Sequence, residues 1–485
     1  MKRPYCMKDF VRSLAAVLAA AFACDPAWGQ PTPDSHRLAE FSQQLYVPVG
    51  SKRLTVVGDS INATNTPNRM SAGYRDAWRI RWNGWVVHAD SGAADLGYQN
   101  AQNLRPGDYS TVWDPGERFT GGQQRINPVR TREINYSVAP WPGMMVSDAM
   151  LLSAATARFP AGDFFATGRV RARAIFFQDH NVMPALVLRG MRGSQVVGPD
   201  VTYKASGPMG RIVWHDLDLG QVAGAPRVQA FATVAPRLPG YVWDFWRFVF
   251  MGVLYRAESV TDGVQMSFIS HGGWRTTDHA GQQRFTDQAL REYYAAIGSP
   301  THLILWLGQN QTTIEANQLI MGDNTAYKAN LRAVIDRHDS LIAQLGQSRP
   351  RWLLISPYKT GYDQHVHERM AQTMHDLSIE DDRVSFLNLY ALAGGESFDT
   401  GAYTTDGIHP NAAGSLHLAT IMDQAMHDSV RCTADVDASG YVDVEDLVTF
   451  LTWFEDGDER ADTDGSGFVD SDDRDAFMSA YEAGC

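Results

Sequence analysis

The sequence predicts an α/β fold whose parallel sheet is split by a β-rich insertion and followed by a separate acidic module. Three observations carry this expectation. In two stretches, 51–100 and 263–430, short apolar runs alternate with helical patterns, as in a parallel sheet with crossover helices. Between them, residues 101–262 read as short strands broken by Gly, Pro and Asp turns, the texture of a sandwich or jelly roll. Beyond 432 the chain turns acidic, and two similar 12-residue segments recur 27 residues apart.

The N-terminus reads as a leader. "MKRPYCMKDFVR" is basic, "SLAAVLAAAFA" is apolar, and "AWG" before Gln30 has the small-x-small form of a cleavage site, which makes residues 1–29 a signal peptide. An alternative reading, a lipoprotein-type box "AFAC" ending at Cys24, fits poorly at Phe22. The apolar run is too short for a permanent span, so a secreted or periplasmic protein with no membrane span is expected. Residues 30–50 read as a polar N-terminal linker.

The first strand is expected at 53–58, and "SAGYRDAWRIRWNGW" (71–85) as a short helix. Further strands are expected at 264–270, 302–308, 351–356 and 384–389. Helical patterns occupy the gaps near 284–297, 324–345, 362–379 and 411–428. Inside the insertion, Trp214, Trp243 and Trp246 lie in or near strands. Exposed rings there would suit stacking on sugars, although large aromatics are usually core residues.

With 485 residues, 44% hydrophobic and 20% charged, the chain is a soluble globular protein of several domains. The formal charge of −13 is unevenly spread. Residues 432–485 hold 16 Asp and Glu against two Arg, a net of −14, so the rest of the chain is at +1. Without a basic patch, nucleic acid is not an expected partner. Cys432 and Cys485 are the two cysteines outside the leader, an even pair that reads as one disulfide in an exported protein.

The acidic repeats have the donor spacing of calcium loops. Oxygen side chains stand at positions 1, 3, 5 and 9 (Asp435, Asp437, Ser439, Asp443; Asp462, Asp464, Ser466, Asp470). Gly440 and Gly467 occupy position 6, Tyr441 and Phe468 supply the position 7 carbonyls, and Asp446 and Asp473 close the loops at position 12. Duplicated EF-hand-like loops with Asp in place of the final Glu, each followed by one helix, resemble the dockerin type I module. That resemblance covers the last 50 or so residues. It implies two structural Ca²⁺ sites and docking onto a cohesin-like or cell-surface partner in polysaccharide degradation.

The chemistry-bearing residues follow the apolar strands. "TVVGDS" places Ser60 just beyond the first strand; "SFISHGGWRTT" places Gly272 and Gly273 beyond another; "LILWLGQNQ" places Asn310 beyond a third. "TTDGIHPN" then supplies Asp406 and His409 from one turn. A serine nucleophile needs an imidazole base, a carboxylate to hold that base, and donors aimed at the oxyanion. Strand ends are where open α/β sheets build such sites. The four blocks, "GDS", "GGWRTT", "GQNQ" and "DGIH", resemble those of SGNH (GDSL-type) hydrolases over about 51–100 and 263–430.

That resemblance implies a flavodoxin-like parallel sheet, with Ser60 as nucleophile, His409 as base and Asp406 as its orienting acid. Gly273 and Asn310 complete the oxyanion hole, with Gly272 and Gly92 as alternatives to Gly273, and catalysis takes no cofactor. Gln311 departs from the family's Asp in the asparagine block, and the β insertion lies outside the minimal fold. The implied activity is hydrolysis of acyl esters, acetyl foremost, on an acylated carbohydrate. The competing expectations are a lipid esterase or lysophospholipase, and, from another class, a glycan-binding scaffold without catalysis.

Overall fold

A computed structural model describes residues 35–59, 61–62, 70–88, 145–148, 168–178, 186–193, 195–203, 211–224, 226–232, 247–270, 274–282, 286–311, 313–430, 434–436, 442–463 and 468–483. The leader, Ser60, Gly92, Trp243, Trp246, Gly272, Gly273, Cys432 and Cys485 lie outside the described residues.

The strands are β1 (Ser51–Gly58), β2 (Trp82–His88), β3 (Met145–Asp148), β4 (Val170–Gln178) and β5 (Leu186–Arg192). They continue as β6 (Gln195–Tyr203), β7 (Arg211–Asp218), β8 (Pro226–Ala232) and β9 (Arg247–Ala257). β10 (Gly263–Ser270), β11 (His302–Trp306), β12 (Arg351–Ile355) and β13 (Val384–Leu387) complete the set.

Six neighbouring strands run parallel, β2 beside β10 and then, from β10 on, five in the order β10-β1-β11-β12-β13. Counted along the chain this is 2-1-3-4-5, the flavodoxin-like order. All of β10, β11 and β13 is buried, as is the second half of β1. Alternate side chains serve opposite faces. Ile304 and Trp306 meet the helices Leu38–Tyr46, Met70–Ala77 and Ala412–Val430, while Leu303 and Leu305 meet Asp287–Ile297, Thr325–Gln344 and Gln364–Glu380. The result is a three-layer α/β/α core. Among the described residues, no helix is long and apolar enough to cross a membrane.

Two local expectations change. The 71–85 helix stops at Ala77, and Trp82–His88 forms β2, parallel to β10. Trp82, Trp85 and Val86 are buried, and burying these large side chains in a sheet outweighs the helical periodicity before them. The polar stretch before β1 holds the helix Leu38–Tyr46, with Phe41 and Leu45 fully buried one turn apart. Buried Asp423 fastens it, accepting from Tyr46 Oη at 2.6 Å and from the Arg79 guanidinium at 2.6 Å.

The inserted block is joined to the core through a shared sheet. β9 pairs antiparallel with β2, and β4 and β7 follow, so the central sheet runs on as β2-β9-β4-β7 with β3 also paired to β9. A second sheet, β6-β5-β8, covers one face of this extension. Leu188 and Val228 from it, with Leu219 after β7, pack with Ala172, Ala174, Phe176 and Val253. One of these two layers is continuous with the parallel sheet.

The C-terminal module is built on its own repeat. Ala434 and Ala461 are equivalent positions, as are Phe450 and Phe477, and these four residues form its buried core. The two phenyl rings stack at 3.9 Å with an interplanar angle of 2°. Each repeat starts its helix (Val444–Asp456, Ser471–Ala483) in the same way. The Asp443 amide donates to Asp446 Oδ2 at 3.0 Å, and the Asp470 amide donates to Asp473 Oδ2 at 2.9 Å.

Candidate active site

Parallel register brings the carboxyl ends of three strands side by side. Gly58, the last residue of β1, pairs with Ser270 of β10 and with Trp306 of β11. Ser60, Gly272 and Asn310 follow these residues by two, two and four positions. The order reverses about β1, and the crevice beyond such a reversal is the usual ligand site of open α/β sheets.

The turn that carries the chain past β1 is made by its own side chains. Asp59, 1% exposed, accepts the Ile61 amide on Oδ1 at 2.9 Å, closing a local turn. Asn62 Oδ1 accepts from Tyr74 Oη at 2.7 Å. His279 Nε2 lies 3.0 Å from the Gly58 carbonyl, so its ring N–H donates there and the buried imidazole props the tip of β1 from below.

Beyond β11, Asn310 presents a buried side-chain amide nitrogen with no hydrogen-bond partner among the described residues. A buried donor left unmade is costly, and it fits a group reserved for a ligand oxygen. Gln311, the next residue, is also buried. Its Nε2 faces Met370 Sδ at 3.3 Å and its Oε1 is unpartnered.

Asp406 and His409 come together as the spacing implies. His409 Nδ1 donates to Asp406 Oδ2 at 2.6 Å, while the amides of Ile408 and His409 donate to Asp406 Oδ1 at 3.1 and 2.8 Å. Burial pushes the Asp406 carboxyl up, but the bonds from His409 and Ile408 outweigh it, and the group sits below the ordinary carboxylate value. Gly407, at φ 81°, allows the reversal between the two residues.

Several contacts fix this turn at the carboxyl edge of the sheet. Tyr358, in the segment leaving β12, donates its hydroxyl to the Ile408 carbonyl, and the Thr405 amide donates to the His409 carbonyl at 2.8 Å. The helix that follows, Ala412–Val430, packs against Met70–Ala77, where a side-chain carbon on Gly73 would lie 2.2 Å from the Ser415 carbonyl oxygen. That close approach requires glycine. The helix after the serine turn and the helix after the histidine turn are thus locked together.

Sequence reading found the Asp–His pair and Asn310. It did not find the supports, His279 and Tyr358, because each acts on a segment far along the chain.

In the C-terminal module, Asp435, Asp443, Asp446, Asp462, Phe468, Asp470 and Asp473 are described, and Asp437, Ser439, Tyr441, Asp464 and Ser466 are not. Asp446 and Asp473 are fully buried. Each accepts the amide that opens its helix, from Asp443 and from Asp470, and Asp473 Oδ1 also accepts the Thr463 amide at 2.7 Å. Among the described residues, no three His, Cys, Asp or Glu side chains converge as metal ligands.

No family model and no curated protein matches the chain. Among solved structures, a carbohydrate esterase family 3 protein from Talaromyces cellulolyticus is similar, at 15% identity over 34% of this chain and 72% of its own, with a TM-score of 0.25. A carbohydrate acetylesterase from Sinorhizobium meliloti is similar at 14% identity over 34% and 79%, with a TM-score of 0.26. A catalytic mutant of an acetylxylan esterase from Geobacillus stearothermophilus is similar at 15% identity over 35% and 75%, with a TM-score of 0.23.

Proposed function

We propose that this chain is an exported serine esterase of the SGNH type that removes acyl groups, acetyl foremost, from polysaccharide. The observation that supports this most is the Asp406–His409 pair, bonded at 2.6 Å and tied by Tyr358 to the sheet edge where the buried Asn310 amide nitrogen has no partner among the described residues.

Ser60 Oγ attacks the ester carbonyl while His409 takes its proton. Asp406 holds the imidazole with Nδ1–H toward itself and stabilises the charged ring. The oxyanion is met by the Asn310 amide and by the N–H groups of Ser60 and Gly273. The alcohol leaves with the proton from His409, and water repeats the cycle on the acyl-enzyme. The nucleophile, base and oxyanion donors of this scheme all come from the chain, and water is the second nucleophile.

The polysaccharide assignment rests on the dockerin-like tail. Its loops, closed by Asp446 and Asp473, would hold two structural Ca²⁺ ions and present the module to a cohesin-like or cell-surface partner. The test compares acetate release from acetylated xylan with hydrolysis of long-chain p-nitrophenyl esters and of a lysophospholipid. Release from xylan, with little turnover of the long chains, is expected. Preference for the lipid substrates would replace the carbohydrate reading with a lipase. In parallel, EDTA should lower the thermal midpoint of the tail and Ca²⁺ should restore it; a tail indifferent to both carries no calcium.

A further inference from the structure

Glu315 is 1% exposed and lies on the helix Thr313–Ile320, five residues past Asn310. Its Oε1 accepts from the Thr276 hydroxyl and from Asn330 Nδ2, the latter at 2.9 Å. Thr276, also 1% exposed, opens the helix Thr276–Ala280, three residues past Gly273. One carboxylate oxygen therefore joins the chain leaving the glycine segment to the chain leaving the asparagine segment. Asn330, on Thr325–Gln344, anchors both to the outer helical layer.

The other end of the five-residue helix is also tied. His279 donates to the Gly58 carbonyl, two residues before Ser60, and Arg337 donates to the His279 carbonyl at 2.8 Å. A helix this short is marginal by itself, so its place is set by tertiary contacts such as these. Gln311 does not supply the tie, because its amide is turned to Met370 Sδ.

We propose that Glu315 is a positioning residue, holding the segments that carry the glycine and asparagine oxyanion donors in mutual register. The inference rests on the esterase reading above. Oxyanion donors act on charge that develops in the transition state, and a displacement of about 1 Å can cost on the order of 100-fold. Losing the tie should therefore lower kcat and leave KM nearly unchanged.

The experiment measures kcat and KM for p-nitrophenyl acetate in wild type, Glu315→Ala, Glu315→Gln and Thr276→Val, with Ser60→Ala as the control and circular dichroism for the folded fraction. Glu315→Ala and Thr276→Val should lose about tenfold or more in kcat with KM within about twofold. Glu315→Gln should retain more kcat than Glu315→Ala, since an amide carbonyl can still accept from Thr276 and Asn330. Should Glu315→Ala fail to fold, Thr276→Val carries the test. Wild-type kcat in Thr276→Val, a loss that only tracks the folded fraction, or Glu315→Gln as impaired as Glu315→Ala would overturn the proposal. Equal rates in wild type and Ser60→Ala would instead remove the esterase reading, and this is seen before any Glu315 variant is compared.

Discussion

The central sheet has two halves built on different rules. In the parallel half, β10-β1-β11-β12-β13, helices cover both faces, and every strand delivers its carboxyl end to the same edge. In the antiparallel half, β9-β4-β7 beyond β2, ends alternate and a second sheet replaces the helices on one face. Only the parallel half can bring several strand ends to one crevice, and all the proposed catalytic residues follow or flank its strands. The antiparallel half contributes area and an edge. At that edge, β7 buries Ile212 and Leu217 on opposite faces and exposes Trp214, Asp216 and Asp218, and Arg173 pairs with Asp216 at 2.6 and 2.8 Å.

The largest effect that separates the halves is expected at His409. His409→Ala should lower kcat/KM by roughly 10³-fold or more in steady-state ester hydrolysis, with the melting temperature nearly unchanged. A loss under tenfold would detach the Asp–His turn from the chemistry.

Phe176 makes the reverse case in the antiparallel half. It is fully buried, and Phe176→Ala should cost about 3–5 kcal/mol in denaturant unfolding, with kcat per folded molecule unchanged. Because the halves share one sheet, the variant should unfold with the core in one transition. A separate early transition would show that the inserted block folds alone.

Acid should act through the parallel half. Burial holds His302, at the start of β11, down to about 3 and His367, on Gln364–Glu380, down to about 4, and it holds His338, on Thr325–Gln344, well below the ordinary value. The unfolded chain then binds more protons, so stability is lost as the pH falls from about 6.5 toward 4. The His367 share alone is about 3 kcal/mol. Thermal melts across that window should show the decline, and His367→Gln should flatten it; an unchanged slope would mean that His367 does not contribute.

The smallest effect belongs to the sheet edge. Trp214 is 37% exposed, with the Arg173 guanidinium 5.5 Å from its ring centre. Trp214→Ala should cost about 0.5–1 kcal/mol by chemical denaturation. A larger loss would make that edge part of the core.

The two halves also differ in what their residues reveal. β1 and β10 to β13 were legible because burial on both faces writes a continuous apolar run. β2 was not, since Asn83-Gly84 interrupts its run and a helical pattern leads into it. Alternation in 170–257 gave strands and a sandwich texture, yet alternation names a buried face without naming the neighbour, so the pairing of β9 with β2 stayed hidden. The Asp406–His409 pair was legible because the two residues are three apart. The link from Thr276 to Glu315 spans 39 positions, and nothing local marks either residue.

The most direct test of the central claim is turnover of p-nitrophenyl acetate by wild type beside Ser60→Ala, with covalent capture by a fluorophosphonate read by intact mass. The account predicts turnover and a single phosphonyl adduct on Ser60 in wild type, with both absent from a folded Ser60→Ala. Equal turnover in the two proteins, or an adduct that survives the substitution, would contradict it.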